Sequence, residues 1–166
     1  MTTAVCPGSF DPITLGHVDV VRRARSFVDE VVVGVARNSS KSALLPVEVR
    51  VALAREALAD VDGVRVEPIP GLLADFVRDV GATAVVKGLR GGADFDAETP
   101  MALMNRHLTG VETVFVIGST ALAHIASSLV KDVARFGGQI DDLVPPGVAR
   151  AVREALGVGP AGGGDV

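Results

Sequence analysis

Cys6-Pro7-Gly8-Ser9-Phe10-Asp11-Pro12-Ile13-Thr14-Leu15-Gly16-His17 joins a short apolar run, residues 2–6, to a segment of helical period that begins near Gly16. A β-branched run, a Pro/Gly loop and a helix in that order form the opening unit of an α/β domain. Gly8 and Gly16 let the backbone approach a ligand closely, and a helix starting at Gly16 offers unpaired N–H groups and a positive dipole end to a phosphate. His17, in the first helical turn, brings its imidazole to the same place.

Outward from this stretch the alternation repeats. Residues 30–36, 64–69, 83–86 and 113–117 read as further strands with few polar interruptions, the pattern of a parallel sheet buried on both faces. Helical periodicity falls between them, over residues 16–27, 47–59, 72–80, about 98–107, and 127–136. The expected fold is a single doubly wound, Rossmann-like α/β domain over residues 1–156, with a five-stranded parallel sheet and ligands bound beyond the carboxyl ends of its strands. Pro145 and Pro146 introduce a short final helix ending at Leu156. Residues 157–166, rich in Gly and lacking large apolar side chains, read as a disordered tail.

Composition narrows the function classes. Sixteen Lys and Arg against 20 Asp and Glu give a net charge of −4, which argues against a general polyanion-binding surface. With no Trp or Tyr and six Phe, the chain also lacks the aromatic platforms that stack single-stranded nucleic acid. Any phosphate ligand must be held by a local cluster of cations. Cys6 is the one cysteine, so no internal disulfide forms, and with His17, His107 and His124 it lacks the spacing of a zinc site. Neither a signal peptide nor a membrane-spanning run is recognisable, and the expectation is a soluble cytoplasmic protein.

Thr14 to His17 matches the T/H-x-G-H signature of nucleotidyltransferases, and Ile125-Ala126-Ser127-Ser128-Leu129-Val130-Lys131 resembles their I-S-S-x-x-x-K signature at a helix start. Pro7 to Pro12, Lys87-Gly88-Leu89-Arg90, Asp94-Phe95 and Met104-Asn105-Arg106-His107-Leu108 then look specifically like bacterial phosphopantetheine adenylyltransferases. That resemblance covers nearly the whole chain, and it implies transfer of the AMP half of ATP to 4'-phosphopantetheine with release of pyrophosphate. Such in-line transfer brings two anions together while charge builds on the leaving group, so cations and donors do most of the work.

By the resemblance, His17 hydrogen-bonds the α-phosphate, Ser9 positions the attacking phosphate, Lys41 contacts the acceptor phosphate, and Lys87 and Arg90 lie near the phosphates. Ser127 and Ser128 would cap their helix and bind the β- and γ-phosphates. Phe10, Gly88, Leu89, Glu98, Leu122, Ala123, His124, Ile125 and Ala126 complete the implied ATP site, and Leu72 and Leu73 border the pantetheine arm. Mg²⁺ is implied as companion of ATP, with no carboxylate cage of its own, along with a homohexamer and feedback by coenzyme A. Another phosphate acceptor, or a non-catalytic nucleotide-binding module, remains open from sequence alone.

Four positions depart from the family pattern. Ala97 replaces an aromatic residue, Ala126 replaces the first serine of a triplet, Lys87 stands where many members carry arginine, and Pro100 replaces a polar helix former. Pro100 is expected in the first turn of its helix, where its fixed φ and missing N–H cost little, with Asp96 or Thr99 as N-cap.

Overall fold

Five strands, β1 (Thr3–Gly8), β2 (Glu30–Ala36), β3 (Val64–Ile69), β4 (Ala84–Leu89) and β5 (Glu112–Ile117), pair in parallel in the order β3-β2-β1-β4-β5. The computed structural model of the chain describes residues 1–37 and 42–160, so Lys41 lies outside the described residues. Helices α1 (Leu15–Ala24), α2 (Val47–Ala57), α3 (Leu73–Asp79), α4 (Gly92–Thr109), α5 (Ser127–Arg135) and α6 (Val148–Leu156) complete the domain.

The central strands β2 and β1, and Val85 and Val86 of β4, are apolar because both faces are covered there. Ala4, Cys6, Val31, Val33, Val35 and Val86 belong to one core, filled from the other side by α1, α2, α5 and α6. Val5, Val32 and Val85, pointing the opposite way, form a smaller core with Phe76 and Val77 of α3. Val31, Val32 and Val33 are fully buried, and each such side chain contributes about 1.5–3 kcal/mol. The connections from β1 to β3 build outward on one side, then α3 returns the chain to pair β4 with β1. The order reverses there, and a crevice opens at the carboxyl ends of β1 and β4.

Two sequence expectations are overturned. Helix α4 starts at Gly92, not near Glu98, and Pro100 lies inside it. Its start is fastened by Asp94, whose Oδ2 accepts the Arg90 backbone N–H at 2.8 Å while both carboxylate oxygens hold the Arg90 guanidinium at 3.1 Å. Pro100 cannot donate to the Asp96 carbonyl one turn back, but Asp96 is exposed and water reaches it. The helix stops at Gly110, whose φ of 74° is the left-handed conformation that glycine adopts freely. The second correction concerns α5: its N-cap is Ala126, with no side-chain cap, and Ser127 does not cap. The Ser127 hydroxyl instead donates to the Pro12 carbonyl at 2.8 Å.

Candidate active site

Thr14 caps α1 in extended conformation, and the cap involves His17 twice. The His17 N–H donates to Thr14 Oγ1 at 3.4 Å, and the Thr14 N–H donates to His17 Nδ1 at 3.0 Å. A main-chain N–H can only donate, so Nδ1 is the acceptor and the neutral ring carries its proton on Nε2. Burial lowers the His17 pKa from 6.5 to about 4, and the positive charges of Lys87 and Arg90 push it the same way. Near neutral pH His17 is therefore an uncharged donor through Nε2–H.

The turn before it is held under backbone strain. Phe10 has φ of 47°, a left-handed conformation that costs a non-glycine residue roughly 1–2 kcal/mol. Its ring is 4% exposed and packs edge-on to His17, with centroids 5.0 Å apart. Burial of a Phe side chain, about 1.5–3 kcal/mol, offsets the strain.

A cavity of about 370 Å³ lies where the crevice opens, bounded by the start of α1, the end of β4, one face of α4, the chain after β5 and the start of α5. Gly88 allows this shape, since a Cβ there would stand 2.4 Å from Val20 Cγ2. The cations near the cavity are paired with carboxylates: Lys87 Nζ is 3.3 Å from Glu98, and Arg90 grips Asp94. The Arg90 hydrogen bond in particular holds the Asp94 carboxyl below the usual range.

The structure brings most of the residues expected at an ATP site to this cavity. His17, Gly88, Leu89, Arg90 and Glu98 line one side, and Leu122, Ile125, Ala126, Ser127 and Ser128 the other. Phe10 and Lys87 line a smaller adjoining space of about 70 Å³ with Cys6 and His17. The thiol there is buried, which raises its pKa to about 11 and leaves it unreactive. Ser9 is exposed at the turn, while Ala123 and His124 flank the lining residues without belonging to the lining. Leu72 and Leu73 lie at the head of α3, Leu72 exposed and Leu73 packed on the smaller core, and neither lines the cavity.

Sequence reasoning missed Asp19 and Ser119. Asp19 lines the cavity, and its Oδ2 accepts the Ser119 N–H at 2.8 Å and Arg23 Nε at 2.9 Å, tying α1 to the chain after β5. The one visible signal was the Asp19/Arg23 spacing of four. The two signature segments are also stapled together, by Ser127 to Pro12 and by Lys131 Nζ to Asp11 Oδ2 at 3.0 Å. Burial pushes the Asp11 pKa up, but the N–H groups of Leu45 and Leu44 and the Lys131 ammonium outweigh it and hold the carboxyl below its ordinary value. Among the described residues no group of His, Cys, Asp and Glu could hold a metal ion. No described helix is long and apolar enough to cross a membrane.

The fold, with its cavity at the switch point of the sheet, fits a nucleotidyltransferase-class domain, and residues 5–133 match the family model described as cytidylyltransferase-like. A solved structure from Vibrio parahaemolyticus, provisionally named a nicotinate-nucleotide adenylyltransferase, superposes with a TM-score of 0.65 over 92% of this chain and 99% of its own, at 16% identity, a likeness of fold. Among curated proteins, one from Nocardioides sp. is 52% identical across 96% of this chain and 100% of its own length. Another, from Kocuria rhizophila, is 53% identical across 93% and 99%. Both are named phosphopantetheine adenylyltransferase, as is one from Micrococcus luteus at 50% identity over 92% and 98%. The chain belongs to the phosphopantetheine adenylyltransferase family.

Proposed function

We propose that this chain transfers the adenylyl group of ATP to 4'-phosphopantetheine, giving dephospho-coenzyme A and pyrophosphate, reversibly, in coenzyme A biosynthesis. The observation that carries the reading is the convergence of a neutral imidazole donor, Arg90 and a helix N-terminus with no side-chain cap on one cavity at the switch point of the sheet, with Lys87 in the adjoining space. An oxygen of the 4'-phosphate attacks the α-phosphorus of ATP, and the bond to the bridging oxygen of pyrophosphate breaks on the opposite side.

In this reading His17 donates its Nε2–H to the α-phosphate as charge accumulates, the kind of preorganised contact whose loss costs on the order of 10²–10³ in kcat. Lys87 and Arg90 exchange their Glu98 and Asp94 partners for phosphate oxygens. The open N–H groups at Ser127 and Ser128 receive the β- and γ-phosphates, with the dipole of α5 favouring the negative charge. Ser9 and Lys41 serve the acceptor phosphate, and Leu72 and Leu73 the pantetheine arm. A divalent cation, Mg²⁺, would accompany ATP and neutralise charge on its phosphates.

The reading extends to a cytoplasmic homohexamer with coenzyme A as feedback ligand. Assembly is supported by exposed apolar side chains on α4 and β5, among them Met101, Leu103, Met104 and Ile117. The deciding experiment measures pyrophosphate release with ATP, Mg²⁺ and 4'-phosphopantetheine, and identifies dephospho-coenzyme A by mass. A stable ATP complex that releases no pyrophosphate, or faster release with an unrelated phosphate acceptor, would reject the reading.

A further inference from the structure

Arg50, in the first turns of α2, is 2% exposed and has no part in the steps above. Its guanidinium is committed to carbonyl oxygens from three separate segments. Nε donates to Leu45 at 2.9 Å, and Nη1 donates to Ser9 and to Ala36, both at 2.7 Å. A buried charge is costly, and an apolar side chain would fill the space without that cost. What arginine adds is a rigid fork of donors able to hold several carbonyls in fixed relation.

Each of the three carbonyls bears on the site. The Ser9 carbonyl belongs to the peptide that precedes Phe10, the residue at φ of 47° whose ring packs on His17. Ala36 is the last residue of β2, and Leu45 just precedes α2, so the two bracket the stretch of chain that carries Lys41. Leu45 is gripped from both sides, its carbonyl by Arg50 and its N–H by Asp11 Oδ1 at 2.9 Å, and Asp11 is in turn bonded to Lys131. A chain of contacts thus runs from buried Arg50 on α2 through Leu45 and buried Asp11 to half-buried Lys131 on α5.

We propose that Arg50 is a positioning residue for the acceptor half of the reaction, fixing the Ser9–Phe10 peptide and both ends of the connection between β2 and α2. The inference rests on the reading that Ser9 and Lys41 serve the acceptor phosphate. Displacing reacting groups by about 1 Å costs on the order of 10²-fold, so loosening these anchors acts on turnover and acceptor use more than on ATP affinity, since Arg50 does not line the ATP cavity.

The test compares the wild-type protein with Arg50→Lys, which keeps the charge but loses the fork, and with Arg50→Met, which keeps the bulk. Folding is checked by circular dichroism and thermal melting, ATP affinity by calorimetry without acceptor, and kcat and KM by pyrophosphate release. The expected result for Arg50→Lys is kcat/KM for 4'-phosphopantetheine reduced at least about tenfold, with ATP Kd changed less than about twofold. A folded variant with unchanged acceptor kcat/KM, or with ATP affinity reduced in the same proportion, overturns the proposal. So does failure of both variants to fold, which would make Arg50 a residue of the fold alone. If the wild-type protein turns over no phosphopantetheine, the functional reading fails by itself. Arg50 is then judged by amide hydrogen exchange in residues 8–12 and 42–46: faster exchange in folded Arg50→Lys, with ATP binding retained, supports positioning, and unchanged exchange refutes it.

Discussion

Lowering the pH toward 5 should leave His17 uncharged, and the effect is large enough to measure residue by residue. An ordinary histidine with a pKa near 6.5 is about 90% protonated at pH ~5.5. With burial and two neighbouring cations holding the value at about 4, only about 3% of His17 carries the extra proton at that pH. The Thr14 N–H on Nδ1 makes a second, independent demand, that the single proton sit on Nε2. Nitrogen-15 NMR of histidine-labelled, ligand-free protein reads both, since ring shifts distinguish the tautomers and follow protonation. His17 should show the Nε2–H form with little change from pH 7.5 to about 5. Stability follows with a definite sign. The depressed group binds fewer protons folded than unfolded, so its contribution is complete above about pH 6.5 and is lost as pH falls toward about 4. A midpoint near 6.5, or an Nδ1–H tautomer, would refute the assignment of a neutral donor.

Pro100→Gln should stabilise the protein by about 1–3 kcal/mol in urea denaturation, since the interior of α4 gains an N–H donor and loses a ring clash; an unchanged midpoint would contradict the placement of Pro100. Ala126→Ser supplies a side-chain oxygen at the uncapped start of α5 and should add about 0.5–2 kcal/mol, read the same way. Gly88→Ala forces a methyl into Val20 and should cost about 1–3 kcal/mol. Val20→Ala in the same chain should restore much of that loss, and strictly additive effects would show that the two residues do not meet.

The strands were legible because Val31-Val32-Val33 and Val85-Val86 have no polar face, which only a sheet covered on both sides tolerates. The start of α4 was hidden for the converse reason. Residues 92–98 carry no apolar period, Pro100 looks like a breaker, and the start is set by a grip of Asp94 on Arg90 that periodicity does not encode. At the site, local spacing pointed to His17 and to the segments that meet at the cavity. The T-x-x-H spacing that seats Nδ1 on the Thr14 N–H is equally local, and reads as a capping box with imidazole in place of carboxylate. Asp19 holding Ser119, 100 residues away, could not be read, because a carboxylate beside an arginine on a helix ordinarily faces water. Arg50 was invisible for the same reason: a lone arginine in a helix gives no sign that three loops converge on it.

The bond from Ser127 to Pro12 spans 115 residues, and this has a bearing on how the protein is made. At synthesis speeds of about 5–20 residues per second, the Pro12 turn is polymerised roughly 6–23 s before its partner. During that interval β1, β2 and β3 can already pair, yet the nucleotide cavity lacks one wall and the first signature loop lacks both of its staples. A ribosome-bound chain arrested at residue 120, with its exposed part folded, is therefore expected to retain no labelled ATP on filters. Retention at the level of the finished protein would show that the N-terminal half makes the pocket alone.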